Sequence, residues 1–319
     1  MKTQNLFNLL KVGIATFGIF FVAGQGAYAS DLKGTAFSIS LECMNDTTGL
    51  LMGQNSTANG WQYAFDSNKD GMNGNYWVGA AAGKVNPYDI SGMAIKETAT
   101  SVIVAINGNM KLTGEAEQGA TGGQIGYGDL FFNMVGKTFG NAMSSGDLFG
   151  IHFSSVNASG VQQLGVYSNV QAKTVTNIKE GYTVGYGGLA GDGWISYETQ
   201  VKQGGGVVGY GDLTSSYFTN NGKDKTFNLN VIDSGNYLNG ISFLAQGNVT
   251  QQLLTTGYDA NKFNGTQTIA FEFKKSAIVQ STPEPASLAG LGIIGLALAG
   301  SKLRKKSAWQ LGRDIRNTA

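Results

Sequence analysis

Residues 101–106 read SVIVAI, a β-branched run closed by Asn107-Gly108. Branched side chains fit a pleated strand, and Asn-Gly is a turn signal. Comparable segments recur at 35–41, 147–154, 164–170, 194–201, 226–232, 241–245 and 267–273, each bounded by Gly, Asn, Asp or Ser. Several alternate apolar and polar residues with period two. The 48 glycines and only 3 prolines suit turn-rich antiparallel structure, and the lack of a G-X-Y period excludes collagen. The expectation is an all-β body, a β-sandwich or jelly-roll-like antiparallel fold, with a closed barrel as the competing architecture. Residues 250–258 are open to a short helix, a strand or a loop.

The two ends read differently. Lys2 and Lys11 precede an apolar run from Val12 to Ala23, and Ala27-Tyr28-Ala29 follows as an A-x-A-like cleavage site. Residues 1–29 are therefore expected to be a secretory signal peptide. Near the other end, ASLAGLGIIGLALAG (286–300) is a continuous run of apolar and small residues, followed by Lys302, Arg304, Lys305 and Lys306. That pattern predicts a hydrophobic anchor helix at 286–301 and a basic cytoplasmic tail at 302–319. The β-rich extracellular domain is placed at 30–278, with a linker at 279–285 that contains Pro283-Glu284-Pro285.

Charge and cysteine usage narrow the classes further. Residues 30–282 hold 14 Lys, no Arg and 19 Asp plus Glu, a net of −5, although the whole chain is +1. A nucleic-acid surface needs a basic, Arg-bearing patch, so no nucleic-acid partner is expected. Cys43 is the only cysteine, which excludes an internal disulfide and reads as a small buried hydrophobe.

Pro283-Glu284-Pro285, the apolar stretch and the basic cluster together resemble a PEP-CTERM sorting signal, of the kind processed by exosortase in Gram-negative bacteria. The likeness covers residues 283–306. It implies sorting residues Pro283, Glu284, Pro285, Arg304, Lys305 and Lys306 and an exosortase-type enzyme as partner. It also implies transient inner-membrane anchoring, followed by residence at the cell surface or in the extracellular matrix. The chain departs from that family by continuing with SAWQLGRDIRNTA after the basic cluster. Within the body, GMAIKETATSVIVAINGNMKLTG (92–114), GGQIGYGDLFFN (122–133), GDLFGIHFSS (146–155) and LGVYSNVQAKTVT (164–176) resemble the cyanobacterial XDD3 family of exosortase-dependent surface proteins. That likeness implies origin and location, with no assigned chemistry.

Candidate chemistry is sparse. Asp66-Ser67-Asn68-Lys69-Asp70-Gly71 begins like a calcium loop, with Asp66, Asn68 and Asp70 at alternate positions and Gly71 at the turn. Position twelve is Trp77, which cannot ligate. Two readings stand: an acidic hairpin connection, and a calcium-stabilised loop completed by a distant carboxylate. His152 is the only histidine, so a histidine-rich metal cluster is excluded, and it reads as a partly exposed strand residue. Glu115 and Glu117 form the closest carboxylate pair, in a loop-like context. Trp61, Trp77 and Trp194 suit either core packing or a carbohydrate platform. The pattern (Ile/Val)-Gly-Tyr-Gly-(Asp/Gly)-Leu occurs at 125–130, 184–189 and 208–213, too unevenly for a solenoid, and reads as recurring strand ends.

Three functions follow as expectations. The first is an exported, non-enzymatic surface or matrix protein with a structural or adhesive role. The second is a carbohydrate-binding module for exopolysaccharide or other surface glycans. The third is an extracellular hydrolase, which requires converging carboxylates with a raised pKa in a cleft. No cofactor is expected other than calcium.

Overall fold

The computed structural model describes residues 32–279, apart from 44–45, 74–75, 78–85, 119, 121–122, 135, 176–196, 200, 219–228 and 245–247. The signal peptide, the Pro283-Glu284-Pro285 motif, the apolar run at 286–301 and the basic cluster all lie outside the described residues.

Two antiparallel sheets dominate. The strands, in chain order, are β1 (Ala36–Ser40), β2 (Thr47–Leu51), β3 (Trp61–Phe65), β4 (Met72–Asn73), β5 (Tyr76–Trp77), β6 (Ile90–Glu97), β7 (Ser101–Gly108) and β8 (Glu115–Ala116). They continue with β9 (Gln124–Ile125), β10 (Leu130–Asn133), β11 (Leu148–His152), β12 (Gly165–Lys173), β13 (Val231–Asn239), β14 (Ile241–Phe243) and β15 (Gln267–Lys274). One sheet has the order β13-β12-β11-β10-β1-β2 and the other β14-β15-β7-β6-β3. Both orders end in open edges, so neither sheet closes into the barrel held as the competing architecture. β13 and β14 are separated by Gly240 alone. One nearly continuous stretch of chain thus leaves the six-stranded sheet and enters the five-stranded one.

The sheets face each other across a single apolar layer. Phe37, Ile39, Phe132, Phe149, Ile151 and Val166 from the first meet Met93, Ile95, Val104, Ile106, Phe271 and Phe273 from the second. Ring pairs cross the layer: Phe132 stacks on Phe273 at 6.0 Å and Phe153 on Phe271 at 5.3 Å. Each sheet is apolar on its outer face as well. In β7, Val102, Val104 and Ile106 point into the shared layer, while Ile103 and Ala105 point the other way. A strand that is apolar on both faces needs a cover on both.

Helices supply the covers. α1 (Phe139–Ser145) and α2 (Ser215–Phe218) pack with the helical turns at 197–199 and 201–203 on the six-stranded sheet, through Phe139, Ala142, Tyr197, Val201, Tyr217 and Phe218. α3 (Val249–Thr255) and the 3₁₀ turn Ala260–Lys262 cover the five-stranded sheet through Val249, Leu253, Tyr258 and Phe263. α4 (Ser276–Val279) closes the described region. The fold is therefore mixed α/β, and the expected all-β sandwich or jelly roll is corrected. The segment at 194–201, expected as a strand, is helical where it is described.

Among the described residues no helix is long and apolar enough to cross a membrane. The membrane and transmembrane assignments, and with them the transient inner-membrane anchor, are withdrawn.

Candidate functional site

Three strand connections deliver carboxylates to one buried point. Asp46 directly precedes β2, Asp70 lies between β3 and β4, and Asp89 directly precedes β6. One carboxylate oxygen from each lies within 4.8 Å of the others. Asp46 and Asp70 are fully buried and Asp89 is 4% exposed. The connections meet because small residues let them. A Cβ on Gly71 would stand 2.6 Å from the Tyr88 carbonyl and 2.9 Å from Asp89 Cα, which only glycine tolerates. The Asn86 side-chain amide locks that approach by donating to the Gly71 carbonyl at 2.8 Å.

The cluster is partly satisfied. Asp46 Oδ1 accepts from the Thr47 N–H at 2.6 Å and from the Tyr197 hydroxyl at 3.3 Å, and its Oδ2 accepts from the Ile90 N–H at 2.7 Å. Asp70 Oδ2 accepts from the Gly209 N–H. Asp89 Oδ2 accepts from the Asn109 amide at 3.3 Å. The second oxygens differ: among the described residues neither Asp70 Oδ1 nor Asp89 Oδ1 receives a hydrogen bond. No ion pair among the described residues reaches any of the three.

Electrostatics reflects that arrangement. Burial pushes the Asp46 carboxyl well above the usual range, and the charges of Asp70, Asp66 and Asp89 act in the same sense. Asp70 is pushed up to about 9 by burial and then by Asp66. Asp89 is pushed up to about 7 by burial, and so is Asp66, against the Thr48 hydroxyl and the Ser67 N–H. Burial raises the Tyr197 hydroxyl well above its ordinary value, with the Asp46 charge next. Without a cation, burial favours the protonated, uncharged forms of these groups.

The sequence-derived ligand set is divided by the fold. Asp70 belongs to the cluster, and Asp66 is a partly buried electrostatic neighbour of it. Asn68 sits exposed in the intervening turn, and the carboxylates that converge with Asp70 are those of Asp46 and Asp89. The loop does not wrap a point as an EF-hand does. It turns Asp70 inward, towards carboxylates from two other connections.

No protein-family model, curated protein or solved structure matches the chain.

The remaining candidates have structural surroundings. His152 is buried, not partly exposed, and its Nδ1 donates to Asp129 Oδ1 at 2.9 Å. Asp129 also accepts from the Asn157 amide at 2.9 Å and from the Ile232 N–H at 2.7 Å. Trp61 is fully buried, edge-on to Tyr258 at 5.1 Å, with its indole N–H donating to Thr256 O at 3.2 Å. It offers no platform to a glycan. Trp194 and the side chain of Trp77 lie outside the described residues. Glu115 is on the short ladder β8–β9, with Glu117 just after it. Cys43 is partly buried against the inter-sheet layer.

The repeated Gly-Tyr-Gly-Asp pattern has a role that the sequence showed only in part. In the first copy the Gly128 N–H donates to Ser40 O at 2.8 Å, Tyr127 is buried, and Asp129 holds His152 and Ile232. In the last copy the Asp212 N–H donates to Gly49 O at 2.9 Å, and the Asp212 carboxylate accepts from Leu51 N–H and the Asn55 amide, each at 3.2 Å. Both described copies dock a passing segment against β1 or β2 and fix it with an aspartate. The copy at 184–189 lies outside the described residues.

Proposed function

We propose that the chain is an exported cell-surface or extracellular-matrix protein with a structural role, processed at Pro283-Glu284-Pro285 by an exosortase-type enzyme. One observation carries the structural part of this reading. The buried carboxylates are spent on joining distant parts of the body to one another. Glu42 accepts from Gly126 N–H and Ala158 N–H at 2.8 and 2.6 Å. Asp46 joins the start of β6 to Tyr197, and Asp129 joins β11 to β13. Groups committed in this way to backbone N–H donors stiffen a body, and a carboxyl at 0–4% exposure does not meet a substrate in solution. The terminal patterns read from the sequence support the exported part.

The test is intact mass and fractionation of the protein from its own cells, beside a Glu284→Ala variant. The expected mature species runs from near Ser30 to near Pro283, is found outside the cell, and is lost in the variant. A chain that keeps residues 1–29 and 286–306 in both strains would overturn the exported reading. Hydrolysis of cell-surface glycans by the purified body would overturn the structural one.

A further inference from the structure

The geometry points to a calcium site that joins three strand connections: we propose that Asp46, Asp70 and Asp89 bind one Ca²⁺ ion. This goes beyond the proposed function and does not depend on export.

Two independent observations converge. The first is the convergence of three carboxylate oxygens within 4.8 Å of one another. Oxygens that share one Ca²⁺ at about 2.3–2.6 Å are at most about 5 Å apart, so the spacing suits a single ion. The second is the pair of buried oxygens with no hydrogen bond among the described residues, Asp70 Oδ1 and Asp89 Oδ1, on side chains that are 0% and 4% exposed. A buried acceptor left unmet is costly, and native chains rarely keep one without a partner. Two on adjacent members of the same cluster call for a shared cation.

The donor set selects the metal. Every candidate ligand is oxygen. The sole histidine is held by Asp129, and the sole cysteine lies outside the group. Zinc and the softer metals favour imidazole and thiolate, whereas Ca²⁺ takes carboxylate, carbonyl and hydroxyl oxygen in a flexible shell. Mg²⁺ demands near-ideal octahedral geometry and dehydrates reluctantly, so it seldom occupies a cage built from protein oxygens alone. The neighbouring Asp66 carboxylate adds to the negative field without belonging to the group.

An ion there would do structural work. Asp46 fixes the β1–β2 connection, Asp70 the β3–β4 connection and Asp89 the entry to β6. The cluster also holds the 207–211 segment, through Gly209 N–H on Asp70, and the helical turn at 197–199, through Tyr197 on Asp46.

The test uses the full-length chain stripped with a chelator and then titrated with CaCl₂. Binding of one ion is expected, with the melting temperature rising by about 5–10 °C at about a hundredfold excess over Kd. Tb³⁺ should bind in competition with Ca²⁺ and show tyrosine-sensitised emission, given Tyr197 beside Asp46. Asp70→Asn and Asp89→Asn should fold in chelator with a melting temperature at or above the parent's, because an amide removes the cost of burying a carboxyl group, and should lose the calcium response. Asn68→Ala should keep the response. The proposal is overturned if Ca²⁺ at about 10 mM, well above the affinity range of extracellular modules, leaves the melting temperature unchanged. It is also overturned if Asp70→Asn responds like the parent, or if Asn68→Ala alone abolishes the response. An equal shift with Mg²⁺ would overturn the assignment to calcium.

Discussion

Asp129 Oδ1 lies 2.9 Å from His152 Nδ1, and both side chains are sealed from solvent. The same carboxylate serves Asn157 and the backbone of Ile232, so one residue satisfies donors from three segments. Asp129→Ala would leave those donors buried and unmet. The expected loss is about 3–5 kcal/mol, read from urea unfolding midpoints, well beyond the median surface ion pair. A loss under about 1 kcal/mol would mean that the network is solvated.

Trp61 and Phe65 stand on one strand with opposite exposures, 0% and 54%. Trp61→Ala should cost about 3–5 kcal/mol through the cavity left beneath Tyr258. Phe65→Ala should change stability by no more than about 0.5 kcal/mol. Thermal melts of the two variants check both values. Glycan binding that disappears with Trp61→Ala in a still-folded protein would contradict the buried placement.

Gly128 and Gly34 separate crowding from backbone strain. A Cβ on Gly128 would lie 2.1 Å from the Asn230 carbonyl oxygen, whereas one on Gly34 (φ +84°) meets nothing within 4 Å. Gly128→Ala should therefore cost about 3 kcal/mol as backbone is forced apart, and Gly34→Ala about 1 kcal/mol for its left-handed φ alone. Equal melting temperatures for the two variants would show that the first Gly-Tyr-Gly-Asp copy is not tightly docked.

In chelator, acid should stabilise the body. A carboxyl with a raised folded pKa keeps a proton that the unfolded chain has released. That applies from about 4, the unfolded value, up to about 7 for Asp66 and Asp89 and about 9 for Asp70. The unfolded state binds fewer protons across that window, so stability falls as pH rises through it. The melting temperature at pH 5.5 should exceed that at pH 8.5 by several degrees. The reverse order would show that these carboxylates are already compensated within the chain.

Much of the strand framework was legible because the local signals agreed. Ser101–Gly108, Leu148–His152, Gly165–Lys173 and Gln267–Lys274 fall on segments rich in β-branched and aromatic residues with Gly or Asn at their ends. Of the covering helices only α3 (Val249–Thr255) was foreshadowed, at 250–258, where a short helix stood beside a strand and a loop. Tyr197 and Val201 are four residues apart and both buried, the spacing of one helix face, yet the same residues also sit in a short apolar–polar alternation. Phe139–Ser145 contains Gly, Asn and two Ser, a composition that signals a loop. A clue to the covers was present in SVIVAI itself, because an uninterrupted apolar run leaves Ile103 and Ala105 needing a neighbour on the second face.

The aspartate cluster divides in the same way. Asp70 was visible because Asp-x-Asn-x-Asp-Gly is a local pattern. Asp46, in NDTTG, and Asp89, in YDISG, have no spacing relation to it, and only the meeting of three connections shows that they share a point. Asn68, which fits the same local pattern, is exposed in the turn.

Gly240, between β13 and β14, has a mechanical consequence. The stretch that ends one sheet begins the other, so a tug on either layer is transmitted along a covalent backbone to its neighbour. With the apolar layer shared between them, the two sheets are expected to melt in one cooperative step.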